Sequence, residues 1–216
     1  MESQKDDFTL KNYGRCLEHA QKKGYAFATI SDYFKKDFSL DRKSIILRHD
    51  IDTQLDVALE MGKMENQRNI RATYFIRLHS HAYNPFCVKD LRKILLIKNM
   101  GHEIGLHYES DFYHIIGKDI KEGLLKEVEI INFVTGEKIE SVCPHEPTRT
   151  NQFHIKGISL NQAYDSSLMR DFKYISDSSC RWRDGTFYEN IQADHQRLYV
   201  LTHPYWWYNQ TPIENY

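Results

Sequence analysis

The sequence predicts an α/β fold on a mainly parallel sheet, and three observations lead there. Short apolar, β-branched runs alternate with longer stretches whose apolar residues recur at helical spacing, the pattern of βαβ units. Strand after strand ends, on its C-terminal side, in histidine, aspartate or glutamate. In parallel α/β folds those ends share one face, and in barrels that face carries the active site. Finally, the 216 residues contain no repeat, low-complexity segment or linker, so residues 1–216 read as one domain.

The elements follow in order. Residues 9–23 read as a helix with Leu10, Tyr13, Leu17 and Ala20 on one face and Gly24 as a left-handed stop. Residues 25–30 form a short strand, and 31–34 begin a turn of helix. The run 44–48 is a buried strand that ends in Leu47-Arg48-His49-Asp50-Ile51-Asp52. Two carboxylates one residue apart at a strand exit are expensive to desolvate without a metal, a base role or a cationic partner. The bland alternative is a solvated loop in which Asp52 or Thr53 caps the helix over 53–68.

A second strand, 71–77, leads into Leu78-His79-Ser80-His81, and Val88, Leu91, Ile94 and Leu95 mark a helix ended by Asn99 or Gly101. The third strand, 102–106, ends in His107-Tyr108-Glu109. Asp119 caps a helix with the stripe Ile120, Leu124, Val128 and Ile131, and Gly136 lies beyond it. The fourth strand, 139–143, ends in Pro144-His145-Glu146-Pro147. The pattern then weakens: a helix is expected near 153–158, a strand over 172–176 ending in Asp177, and a last strand over 198–202 ending in His203.

Composition narrows the function classes. Lys+Arg total 29 and Asp+Glu 30, so no basic surface invites nucleic acid. No stretch is long and apolar enough to span a bilayer, and the N-terminal residues are polar with no apolar signal core. Cys16, Cys87, Cys143 and Cys180 are scattered without CxxC pairing, which reads as reduced thiols in a cytoplasmic protein. Eleven histidines and fourteen tyrosines are the excess, suited to a polar cleft or, for tyrosine, to surface packing.

Four of these stretches resemble the polysaccharide deacetylase superfamily (NodB-like, family-4 carbohydrate esterases), in a divergent branch with an Arg-His-Asp-x-Asp first motif. They are Ile46-Leu47-Arg48-His49-Asp50-Ile51-Asp52, Ala72-Thr73-Tyr74-Phe75, Gly101-His102-Glu103-Ile104-Gly105-Leu106-His107 and Leu201-Thr202-His203-Pro204, in the family's order over about residues 45–208. The third is the most specific. The resemblance implies a distorted, incomplete (β/α) barrel of mainly parallel strands. It also implies hydrolysis of acetamido groups with one divalent metal held by an aspartate and two histidines. Zn2+ suits mixed Asp/His ligation, with Co2+, Mn2+ or Ni2+ as alternatives.

By the same resemblance, Asp50 is the candidate base, Asp52 a metal ligand, His107 the first histidine ligand and His203 the acid. Which carboxylate is the base stays open, because the family's pair is adjacent and Ile51 intervenes here. The family's second histidine, four residues on, is replaced by Asp111, so Glu109 and His145 are the substitutes. Asp177 is either the carboxylate that orients His203 or an ordinary cap. Arg48 and His79, with Trp182, Arg183, Tyr205 and Trp206 of an aromatic margin that also includes Trp207, are candidates for substrate contact, although a C-terminal aromatic cluster is more often core packing. The implied activity is a metal-dependent amidohydrolase acting on an N-acylated sugar or a glycan precursor. The alternatives are a hydrolase of a small non-sugar amide, with or without metal, and a non-catalytic carbohydrate-binding protein with a decayed site.

Overall fold

The computed structural model describes residues 7–215; the polar residues 1–6 and residue 216 lie outside the described residues. In chain order the elements are α1 (Leu10–Lys22), β1 (Ala26–Ala28), α2 (Ile30–Tyr33), β2 (Ser44–Ile51), α3 (Leu55–Asn66), β3 (Thr73–Ile76), α4 (Val88–Asn99), β4 (Glu103–Tyr108), α5 (Ser110–Ile115) and α6 (Ile120–Thr135). They continue with β5 (Ser141–Pro144), α7 (Pro147–Thr150), β6 (Asn161–Gln162), α8 (Ser166–Asp171), β7 (Lys173–Ser176), α9 (Phe187–Gln192) and β8 (Arg197–Thr202). The strands form one parallel sheet in the order β6-β5-β4-β3-β2-β8-β7. β1 pairs with the first half of β2, on residues 44–46, and β3 with its second half, on 48–51. The sheet is a curled, open half-barrel with helices around it.

Local chemistry sets the helix ends. Thr9 caps α1 by accepting from the Asn12 N–H, and Asp119 caps α6 by accepting from the N–H groups of Lys121 and Glu122. Gly136 ends α6 at φ 71. α3 begins at the N-cap Gln54 with no side-chain cap, so neither Asp52 nor Thr53 is spent on capping.

β2 is the central strand, buried along all eight residues, and it runs three residues beyond the Arg48 end expected from sequence. Charged residues remain in the ladder because each face supplies partners. On the face packed by α1 and α3, His49 lies 2.9 Å from Glu65 Oε1 and 2.6 Å from the Thr202 hydroxyl. Glu65 also accepts from the Tyr13 and Tyr74 hydroxyls. His102 lies in this same buried cluster, on the face away from His107, as alternation along a strand requires. The larger core, with Leu47, Ile51, Tyr13 and Leu59, covers that face, while a smaller cluster that includes Ile46, Phe75, Cys143 and Tyr199 fills the concave side.

The helix expected near 153–158 is absent. Gln162 takes both the N–H and the C=O of Ile155 with its side-chain amide, and Gly157 sits at φ 73, so the segment is pinned as an irregular crossing. The short helices α5, α7, α8 and α9 carry too little periodicity to be read in advance.

One glycine is required by close approach. A Cβ at Gly105 would stand 2.5 Å from the Phe75 ring and 2.8 Å from the Ser141 carbonyl oxygen, and the latter is backbone that cannot turn aside. Gly105→Ala should therefore destabilise the fold by about 1–3 kcal/mol, the range for overpacking. Denaturant unfolding checks this, and an unchanged midpoint would show that β3 and β5 can yield.

Candidate active site

The sheet register puts the reactive side chains on the concave face. Asp50 is level with Phe75, and Phe75 with Gly105, so His107 projects from the same face as Asp50, two positions further along β4. His107 is in turn level with Cys143. Beyond β5 the His145 N–H donates to the Tyr108 carbonyl, extending the ladder by one residue. Glu146 then adopts φ 46 and turns the chain sharply into α7. Asp52 follows β2, Asp177 follows β7 and His203 follows β8, all at the same end of the sheet.

These ends open onto a cleft of about 1010 Å³, lined among others by Asp50, Asp52, His107, His145 and His203. Three of them converge as metal ligands would. His107 Nε2 lies 3.3 Å from Asp52 Oδ1, and His145 Nε2 lies 3.6 Å from the same oxygen. His107 Nδ1 is engaged by the Cys143 carbonyl at 3.0 Å, so Nδ1 carries the proton in the ligating tautomer and Nε2 faces the carboxylate. His145 Nδ1 lies 2.7 Å from Glu109 Oε1, and Glu109 is itself paired with Arg77. A carbonyl or a carboxylate behind each imidazole is the arrangement that orients metal-ligating histidines. Asp52 Oδ1 is buried and makes no hydrogen bond. The residues therefore fit a divalent ion: Asp52, His107 and His145 can hold one.

Electrostatics within the bare triad agree. Burial would raise the Asp52 carboxyl, but His107, His203 and His145 hold it well below the usual carboxylate range. Burial would lower the His107 imidazolium, yet Asp50 and Asp52 hold it well above its ordinary value. Burial and the neighbouring His107 push His145 down. The carboxylates that favour a charged His107 would favour a cation in the same place, and ligation requires the neutral imidazole.

Asp50 is placed differently. Its Oδ2 is 3.2 Å from the Arg48 guanidinium, while its Oδ1 is buried without a hydrogen-bond partner. Arg48 is completely buried and bonds the hydroxyls of Tyr199 and Tyr164, each at 2.8 Å. It backs Asp50 and is closed to a substrate, which corrects its expected place on the cleft wall.

His203 and Asp177 form a tight pair. Asp177 is wholly buried and accepts from His203 Nδ1 at 2.6 Å, from the His203 backbone N–H at 3.0 Å and from Trp207 Nε1 at 2.9 Å. It caps no helix: its neighbours in this site account for both oxygens. Burial would lower the His203 imidazolium, but the Asp177 carboxylate outweighs this, with Asp52 and Asp50 adding to it, and the pKa is raised to about 9.

Other expected residues fall elsewhere. Glu109 stands behind His145 rather than beside Asp52. Asp111 pairs with Arg149 on the exposed surface, away from the triad. His79 bonds Glu127 at 2.6 Å and packs at a tilt against Phe112, outside the cleft. Trp182 is 9% exposed and packs on Phe8 and Trp207, so it is core. Arg183 and Trp206 do line the cleft, and Tyr205 packs edge-on against Trp206. Sequence reasoning missed Phe153, Tyr164 and Tyr174 on the wall and Arg77 behind Glu109; the tyrosine excess was the only hint of the first group.

No family model matches the sequence, and no match is found among curated proteins. Among solved structures the chain is similar to a family 4 carbohydrate esterase from Bacillus anthracis, with a TM-score of 0.48 and 15% identity over 93% of this chain and 80% of that one. It is similar to a mutant of the peptidoglycan deacetylase PdaC from Bacillus subtilis, with a TM-score of 0.45 and 15% identity over 77% of each chain. It is also similar to a CE4 family pseudoenzyme from Bacillus anthracis, with a TM-score of 0.45 and 14% identity over 77% of this chain and 56% of that one.

The His203–Asp177 pair predicts a pH signature. In metal-free protein its contribution to stability is complete below about pH 6.5 and is lost as pH rises through about 9, because the folded-state value lies above the ordinary one. The imidazole resonances of His203 should titrate near 9 by NMR, and Asp177→Asn should bring that midpoint down. A midpoint unchanged in Asp177→Asn would mean that another group holds the proton.

Proposed function

We propose that the chain is a metal-dependent amidohydrolase that removes an acyl group, in the first instance acetyl, from an N-acylated sugar or glycan precursor. The observation that carries the reading is one cleft presenting both a ligand triad, Asp52, His107 and His145, and a carboxylate-backed imidazolium, His203 on Asp177. The motif resemblance points the same way. The triad holds one divalent ion, Zn2+ first, with Co2+, Mn2+ or Ni2+ as alternatives. When bound, the ion polarises the acyl carbonyl and makes a water nucleophilic near neutral pH.

The residues of the chain do the rest. Asp50 takes the proton of the attacking water on Oδ1, the oxygen left without a partner, while Arg48 fixes Oδ2. His203 donates a proton from Nε2 to the departing nitrogen, Nδ1 being occupied by Asp177. An amine does not leave as an anion, so this proton is what distinguishes amide from activated-ester cleavage. Phe153, Tyr164, Tyr174 and Trp206 offer ring faces for a sugar, and Trp206 has a buried indole N–H with no hydrogen-bond partner, a donor for a substrate oxygen. His145 in the place left by Asp111 argues against a decayed site. Cys16, Cys87 and Cys143 are thiols, which suits the cytoplasm and a precursor substrate rather than a finished wall polymer. Among the described residues no helix is long and apolar enough to cross a membrane.

The deciding experiment is amine release from N-acetylated free and nucleotide-linked sugars, with and without chelator. Release that the chelator abolishes is expected; a chain with one bound ion that frees no amine from any of them would overturn the reading.

Removing ligands should separate structure from chemistry. His107→Ala, His145→Ala and Asp52→Asn should each lower bound metal and thermal stability together, because the ion stabilises only the folded chain. Glu109→Gln should keep stoichiometry and weaken affinity about 10–100-fold. Elemental analysis and thermal melts check both, and full metal content in His145→Ala would remove that residue from the ligand set.

His203→Ala should lower kcat on an amide by roughly 10²–10⁴-fold with metal content intact. An activated acetate ester should suffer far less. An equal fall on both substrates would show that His203 is not the leaving-group acid.

A further inference from the structure

The geometry points to a second, inner metal seat, formed by Asp50, His107 and Cys143, which takes a thiophilic ion such as Cd2+ and shuts the enzyme down when filled. The three side chains are all buried, and one ligand atom from each lies within 4.8 Å of the others. Cys143 Sγ is 3.7 Å from Asp50 Oδ2, and His107 Nε2 is 3.9 Å from the same oxygen. Bonds of about 2.0–2.3 Å at tetrahedral angles put ligand atoms roughly 3.3–3.8 Å apart. The outer triad, at 3.3 and 3.6 Å from Asp52 Oδ1, matches a zinc-sized ion. The inner set is a little wider, and it contains a sulfur, so it favours a larger and softer ion.

Two further observations support the seat. Asp50 faces the other two ligands through Oδ2, which Arg48 also holds at 3.2 Å, while its Oδ1 is buried with no hydrogen-bond partner, so the carboxylate keeps acceptor capacity for an ion beside the guanidinium. Cys143 lies immediately behind Asp50, where an ion entering through the cleft reaches it past two residues that line that cleft, Asp50 and His107. On ligation the thiol releases its proton to solvent and binds as thiolate. His107 has a single Nε2 facing both sets, so one ion at a time can use it. An ion in the inner seat therefore removes a ligand from the outer one and occupies the carboxylate proposed as base. The inference shares His107 and Asp50 with the function proposed above and otherwise stands apart from it.

The test is Cd2+ titration of the metal-freed full chain, followed by ultraviolet thiolate-to-cadmium charge-transfer absorption. The expected result is a band saturating at one ion per chain. It should be lost in Cys143→Ser and Cys143→Ala, and kept both in a Cys87→Ser, Cys180→Ser double variant and in an Asp52→Asn, His145→Ala double variant. Using both Cys143 variants, each checked for folding by circular dichroism, keeps the result readable if one packs badly. The band surviving in a folded Cys143 variant, or Cd2+ binding to the wild type without a band, would overturn the inner seat. In the zinc-loaded protein, Cys143→Ala should need at least about tenfold more Cd2+ for half-inhibition, and equal sensitivity would also count against it. The band in a chain that never releases amine would sink the amidohydrolase reading alone; zinc-dependent release in a chain without the band would sink the inner seat alone.

Discussion

The buried pair between Arg48 and Asp50 is the constraint around which the site is built. Two charges on the central strand of a sheet, one wholly and one almost wholly buried, persist only if geometry satisfies them, because desolvation otherwise exceeds their attraction. Here the guanidinium lies 3.2 Å from one carboxylate oxygen, bonds two tyrosine hydroxyls and lies 4.6 Å from the centroid of the Tyr164 ring. Those tyrosines come from the segment after β6 and from β8, so the pair ties the middle of the sheet to its later strands. Arg48 Nε and Asp50 Oδ1 remain without a hydrogen-bond partner, and Asp50 lines a cleft whose other proposed functional groups come from separate strand ends.

The opposite face of the same strand is built by the same logic. His49 and Glu65, with Tyr13, Tyr74 and Thr202, form a closed polar cluster inside an apolar layer. The cluster ties β2 to α1, α3, β3 and β8, which opposes rotation of β2 about its axis. Since Asp50 alternates with His49, that rotation decides where the Asp50 carboxylate points. The pinning of Thr202 acts likewise on His203, the next residue along.

Much of this was legible in the amino-acid order. Capped, periodic helices such as α1 and α6 announce themselves, and short apolar runs closed by acidic or imidazole side chains mark the strands and the face on which they end. What could not be read depends on contacts distant in sequence. Nothing local in Arg48 shows that Tyr164 and Tyr199 will cage it and let β2 continue to Ile51. Glu109 and His145 are equally plausible ligands in one dimension; only the placement of Arg77 beside Glu109 sets the carboxylate behind the imidazole. The helix expected at 153–158 failed because a single glutamine side chain, Gln162, replaces a turn of backbone bonding. Trp182 lies among aromatic residues of which some are core and some are wall, and composition cannot separate them.

The place of β8 in the sheet has a consequence for how the chain is made. It is the final strand in sequence but lies beside β2, and the His49–Thr202 bond spans 153 residues. As the chain leaves the ribosome, every proposed metal ligand has emerged by residue 145, while one flank of β2 still waits for a partner. Non-local pairing of this kind is slow to form, and an unpaired strand edge is exposed to misassociation meanwhile. His203 follows β8 directly, so inserting the last strand protects the nascent sheet and delivers the proposed proton donor in one event. Until then the proposed ligands Asp52, His107 and His145 stand without the proposed acid.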